Sequence, residues 1–235
     1  MDFERFEDSL TRFVDYCRIH LDFSIEDMKY YSCLPLCALD AVFSIGVRYT
    51  GVSRTVDRFC KAFNLPRSTK NPSKVPSRVT QATVRQVLDL LKDTTSEQLA
   101  DIVANHQRTS TKNGILKTSA FIQWLDIFDL YEIQSYQDFH RHWEDTRLEQ
   151  DLRRVRGQRS GISTDYFYML AGNTGDVKVD RHITAFTCEA TGESRLSPTA
   201  IKKLFKEAVK ELGIEHPGLT VRHLDHIVWE YQRKT

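Results

Sequence analysis

Residues 154–186 read RVRGQRSGISTDYFYMLAGNTGDVKVDRHITAF. Gly157 and Gly161 flank Gln158-Arg159-Ser160, between a basic run and an apolar segment, Ser163–Ala171, of helical character. A loop follows and ends in Val179-Asp180-Arg181-His182. Glycine lets main-chain amides approach an anion closely, and the helix that follows adds its positive N-terminal end. Such a hairpin can hold a phosphate. Taken alone, it is also an ordinary helix–turn–helix connection. Asp180 comes 19 residues after Gly161, where a carboxylate can act on whatever the hairpin positions. Taken alone, it is also a helix N-cap.

Outward from this stretch the pattern is almost entirely helical. Phe6, Leu10, Phe13, Val14 and Cys17 fall at helical spacing near the start. The apolar run from Leu34 to Phe63 is broken by Gly46 and Gly51, which predicts two helices, the second over roughly 53–63 with Ser53 as its cap. Residues 66–78 carry Pro66, Pro72 and Pro76 among Ser, Thr, Lys and Arg, and read as a loop. Helices are expected at 81–91, 96–105 (capped by Ser96), 115–128 and 136–143. Ser197-Pro198 is a helix start, with Gly213 as the expected end, and Leu219-Thr220 opens a last helix. Val177 and Val179 alternate with polar neighbours, too briefly for a strand.

Composition narrows the class. The chain has 235 residues, of which 40% are hydrophobic and 28% charged, with a net charge of +1. No whole-molecule field draws it to a polyanion, so such a site must come from local clustering. Arg67, Lys70, Lys74, Arg78 and Arg85 form one acid-free basic run. Arg147, Arg153, Arg154, Arg156 and Arg159 lead into the hairpin with Glu149 and Asp151 among them. Either cluster also reads as a solvated face. The cysteines, Cys17, Cys33, Cys37, Cys60 and Cys188, are odd in number and irregular in spacing, which suits free thiols rather than a metal site. No run approaches a membrane span, and the acidic N-terminal stretch lacks signal-peptide character. The protein is expected to be soluble and intracellular.

The stretch 154–186 resembles the helix-hairpin-helix (HhH-GPD) DNA glycosylases, the endonuclease III and MutY-like superfamily. In that family a Gly-rich hairpin is followed by an apolar helix, a short loop and Val-Asp-x-His-Ile, here Val179-Asp180-Arg181-His182-Ile183. The resemblance extends outward. Residues 38–63 look like the family's early helix pair, 113–124 like its Lys-rich helix before the hairpin, and 224–231 like its terminal helix. It implies an all-α, two-lobed fold with the active-site cleft between lobes. One lobe would take 1–33 and 186–235. The other would take 34–185, with the hairpin at 154–165 and the catalytic loop at 172–183.

The resemblance makes Asp180 the catalytic carboxylate of a DNA glycosylase. It would stabilise the cationic sugar formed as a flipped, damaged or modified base leaves, or activate water against C1′. His182 would brace the catalytic loop. Gly157, Gln158, Arg159, Ser160, Gly161 and Ser163 would hold the DNA backbone. Arg48 and Tyr49 in one loop, and Gln107 and Arg108 in another, with His106 beside them, would fill the space left by the flipped base. Three departures from the family pattern follow. The nucleophilic Lys of bifunctional members is replaced by Ser163 or Ile162, neither able to form an imine, which implies a monofunctional enzyme without lyase activity. The usual Gly-x-Gly is Gly157-Gln158-Arg159-Ser160-Gly161. The C-terminal four-cysteine iron–sulfur cluster has no counterpart, since only Cys188 follows Asp180.

The expected partner is double-stranded DNA, with no membrane, no cofactor and no metal, and the protein acting as a monomer in a nucleoid-bearing cytoplasm or a nucleus. Two other readings compete. One is a non-catalytic helix-hairpin-helix DNA-binding protein with Asp180 as a cap. The other is a helical interaction protein with no nucleic-acid role. Tyr30, Tyr31, Trp124 and Tyr166 are candidates for base stacking that suit core positions equally.

Overall fold

The computed structural model describes residues 3–24, 29–47 and 49–234. Among these the chain is all-α, with no strand and a single isolated bridge between Arg108 and Leu116. The helices are α1 Phe3–His20, α2 Leu34–Phe43, α3 Tyr49–Ala62, α4 Val84–Leu91, α5 Ser96–Ile102, α6 Lys117–Leu130, α7 Tyr136–Arg141, α8 Thr146–Arg154, α9 Ile162–Leu170, α10 Arg181–Thr191, α11 Pro198–Glu215 and α12 Val221–Gln232.

Local chemistry sets most of the starts. Thr83, Thr95 and Thr220 each cap a helix with a reciprocal capping box, and Ser197 caps α11 ahead of Pro198. Two expected breaks are absent. Gly51 lies inside α3, which begins at Tyr49, and Gly213 lies inside α11, which runs on to Glu215. A glycine inside a helix costs about 1 kcal/mol relative to alanine. Val52, Val56 and Phe59 of α3 are buried, and each such side chain stabilises by about 1.5–3 kcal/mol, so the apolar face wins. Ser53 is consequently no cap; its hydroxyl accepts from Arg67 at 3.0 Å. Thr95, not Ser96, caps α5.

The chain divides into two compact units, 27–172 and a terminal unit made of 1–26 with 173–235. In the central unit α2 is wholly buried, packed on α9, α6 and α3. Around it Phe59, Phe121, Trp124, Phe128, Phe139 and Phe167 form one core. The terminal unit packs α1 on α10 and α11, with α12 on α10 and α11, around Phe13, Phe186 and Phe205. The division differs from the lobes expected above: residues 27–33 go with the centre and 173–185 with the termini. The cause is local. Val177 is fully buried in the terminal core, and the main chain of 174–178 is hydrogen-bonded to α12. The glycine hairpin and Asp180 therefore belong to different units.

Candidate functional site

In the central unit, α8 ends at Arg154 and α9 begins at Ile162. The link between them is two successive tight turns, Gln158 N to Val155 O at 2.9 Å and Gly161 N to Gln158 O at 3.1 Å. Gly157 has φ +88° and Gly161 φ +79°, the left-handed region that glycine alone adopts at no steric cost. A Cβ at Gly157 would lie 2.3 Å from the Thr109 side chain, and one at Gly161 would lie 2.6 Å from the Arg153 guanidinium. Gly161, the N-cap of α9, has no side chain to cap it, so the first-turn amides keep their positive end open.

The hairpin side chains divide into two sets. Gln158 is 2% exposed and accepts from the Ser163 hydroxyl, itself buried. These two lock the turn from inside, so their side chains are turned away from solvent. Arg156, Arg159 and Ser160 are exposed. A groove of about 630 Å³ runs here, lined by Gln150, Arg153, Arg154, Arg156, Gly157 and Arg159 along with Val155. Arg153 is paired with Glu149 at 2.6 Å and Arg154 with Asp151 at 2.5 Å. Arg156 and Arg159 have no ion-pair partner among the described residues. The groove thus carries uncompensated positive charge.

Two further loops adjoin the hairpin. Lys117, 2% exposed at the start of α6, donates its ammonium to Phe43 O at 3.0 Å, Ile45 O at 2.8 Å and Gln107 Oε1 at 3.2 Å. A cation at the carbonyl end of α2 is favoured by the helix dipole. The same contact ties the loop after α2 to the loop 105–116. The latter is closed by Thr109 N to Ile115 O at 2.9 Å and Arg108 to Gly114 O at 2.8 Å, and Thr109 touches Gly157. The segments expected to contact DNA in this unit are therefore contiguous. Arg108 and Gln107 are exposed yet partly engaged in closing their own loop. His106 pairs with Asp101. Arg48 and the Tyr49 side chain lie outside the described residues. Trp124 is core, bonded to Leu152 O, and Tyr31 donates to the buried Asp40 at 2.7 Å, so neither presents a stacking face.

The basic segment 66–77 is an ordered loop that ends in a 3-10 turn, Arg78–Thr80. Tyr30 N bonds Pro72 O at 2.7 Å, Ser32 N bonds Arg67 O at 3.0 Å, and Gln81 and Gln137 both donate to Pro76 O. It borders a second groove of about 510 Å³ with Lys70 and Lys74 on its rim.

In the terminal unit Asp180 is the N-cap of α10. Its Oδ1 accepts from His182 N at 2.8 Å and Ile183 N at 3.1 Å. Among the described residues Oδ2 accepts no hydrogen bond, and the residue is half-buried. His182 supports Asp180 through its main-chain amide. Its imidazole meets Arg181, at 3.3 Å. Behind the loop stands Asp225 of α12, which the sequence analysis did not single out. It is 8% exposed, and its Oδ1 accepts from Lys178 N at 3.0 Å. Burial, and then the charge of Asp180, push its carboxyl up to about 8, while Lys178 and Arg222 pull the other way. A signal for Asp225 was present: Val221, Asp225 and Val228 follow a helical core spacing, which puts an acid on a buried face.

Among the described residues no group of three His, Cys, Asp or Glu side chains could hold a metal, and no helix is long and apolar enough to cross a membrane. Residues 10–233 match the model of a family described as "Domain of unknown function (DUF8548)". No curated protein and no solved structure matches the chain.

Proposed function

The chain belongs to the DUF8548 family, whose description assigns no activity, and from the residues themselves we propose that it is a monofunctional DNA glycosylase acting on a damaged or modified base of double-stranded DNA. The observation that carries this reading is Asp180. One carboxylate oxygen is fixed by two amides while the other accepts no hydrogen bond among the described residues, and the residue follows the glycine hairpin at the spacing of the glycosylase motif.

In this reading the hairpin amides, Arg156 and Arg159 hold DNA phosphates, a contact without sequence information. The target nucleotide is flipped, at a cost of a few kcal/mol in lost stacking. The bond between C1′ and the base nitrogen breaks, and the base leaves with the electron pair. The anionic Asp180 Oδ2 stabilises the positive charge left on the sugar. Water then adds its oxygen to C1′, and its proton goes to the departed base, so an abasic site remains on an intact strand. The absence of lyase chemistry is supported at the hairpin. Ser163 is buried with its hydroxyl given to Gln158, and Ile162 has no nucleophile.

One observation favours a second reading, a non-catalytic helix-hairpin-helix DNA-binding protein: as the cap of α10, Asp180 already has a structural role. Asp180→Asn separates the two, because asparagine caps a helix as well as aspartate does. Abasic sites are scored on duplexes carrying a panel of lesions and hypermodified bases. Loss of base release with unchanged melting and unchanged duplex affinity supports the glycosylase. Base release undiminished in the variant removes Asp180 from the chemistry.

A further inference from the structure

We propose that Asp225 is a positioning residue for Asp180: from α12 it fastens, through Lys178, the loop that delivers Asp180. The inference rests on the reading of Asp180 as the acting carboxylate.

The connection is short. Asp225 Oδ1 accepts from Lys178 N at 3.0 Å, and Lys178 O accepts from Asp180 N at 2.7 Å. Two hydrogen bonds through one residue thus link the buried acid to the main chain of Asp180. The helix holds the loop a second time, through Arg222 N to Thr174 O at 3.1 Å. The loop is otherwise closed on itself, Gly175 N to Asn173 and Val177 N to Asp176. An acid in this place is costly unless it has a purpose or a proton, since a buried carboxylate without full compensation is unfavourable.

The charged groups facing it come from each neighbouring element. Asp180, at the start of α10, and Lys178 belong to the loop side, and Arg222 lies one turn away on α12 itself. Lys202 of α11 is engaged with Asp176 of the same loop at 3.2 Å. Asp180 and Asp225 repel, and two carboxylates so placed do not ionise equally. The proton goes to the member that is buried, Asp225, whose carboxyl titrates near 8. Asp180 is half-buried and held by two amides at the start of α10. At neutral pH the loop is therefore held by an acid that is mostly protonated. At alkaline pH Asp225 ionises, a negative charge appears beside Asp180, and the setting of the loop is disturbed.

The test uses the full chain with carboxyl-labelled aspartate, titrated by carbon NMR as wild type, Asp225→Asn and Asp180→Asn. Asparagine keeps the acceptor for Lys178 N while removing the titration. The expected result is one aspartate titrating near 8 in the wild type, missing in Asp225→Asn and moved to lower pH in Asp180→Asn. In parallel, base release is followed from neutral to alkaline pH, where the wild type loses activity and Asp225→Asn does not. If no aspartate titrates above about pH 6, or if Asp180→Asn leaves the high signal unmoved, the pairing is overturned. Should Asp225→Asn fail to fold, the shift in Asp180→Asn carries the test alone. An NMR result as expected, with no base released from any duplex, would leave the pair standing and remove the glycosylase reading.

Discussion

Thr109 occupies the space that any side chain on Gly157 would need. A Cβ there would sit 2.3 Å from the threonine Cβ, in a backbone held at φ +88°. Gly157→Ala therefore meets two separate penalties, conformational strain of about 1 kcal/mol or more and a steric clash. The expected outcome in denaturant unfolding is a loss of at least about 2 kcal/mol. Adding Thr109→Gly should return the steric part alone, because φ is unchanged. Full recovery in the double variant would contradict this account.

Lys117 joins three carbonyl oxygens, from the end of α2, the loop after it and the loop 105–116, while 2% exposed. Lys117→Met keeps the packing volume and leaves those oxygens without their donor. Hydrogen bonds to a charged group contribute about 1.5–3 kcal/mol, and a stability loss of that size is expected. Amide exchange should accelerate in the 105–116 loop before it does in α6, which distinguishes loss of the clasp from general unfolding.

Arg156 and Arg159 have no ion-pair partner among the described residues, whereas Gln158 between them is buried. Arg156→Ala and Arg159→Ala should each weaken duplex binding across sequences and lower the slope of log affinity against log salt by about 0.9. Melting should stay within about 0.5 kcal/mol of wild type. Gln158→Ala should do the opposite, destabilising the fold by stranding the Ser163 hydroxyl.

Asp225 makes stability depend on pH with a definite sign. Its folded-state carboxyl lies near 8 against an ordinary value of 3.8, so the folded protein binds a proton that the unfolded chain releases. The stability contributed is fully present below about pH 4 and is lost as pH rises through about 8. Urea midpoints at pH 5, 7 and 9 should fall in that order for this contribution, and Asp225→Asn should flatten the trend. A midpoint difference between variant and wild type that is the same at all three values would count against the assignment.

Helical character and most helix starts were legible because they depend on neighbours in sequence. Ser197-Pro198 and Thr220 announce their helices by side chains that cap within three residues. Gly51 and Gly213 misled, because a local preference worth about 1 kcal/mol is outweighed by tertiary burial. The division at 172 was not legible, since what draws 173–180 to the terminal unit is Asp225, about 45 residues further on. Lys117 and Asp225 left a faint mark, each being a charge on an otherwise apolar helix stripe. What such a charge bonds to is decided by the packing, and no spacing rule supplies it.

The terminal unit is assembled from both ends of the chain, with Phe13 of α1 packed on Phe186 and Phe205. The central unit is continuous and complete in sequence by residue 172. During synthesis, then, the hairpin can reach its final form while α1 still waits for partners not yet made. Asp180 acquires its setting only when α12 emerges and Asp225 takes hold of Lys178. A chain cut short before α12 would retain the basic groove and lack the settled carboxylate, so the order of translation completes the groove before the loop.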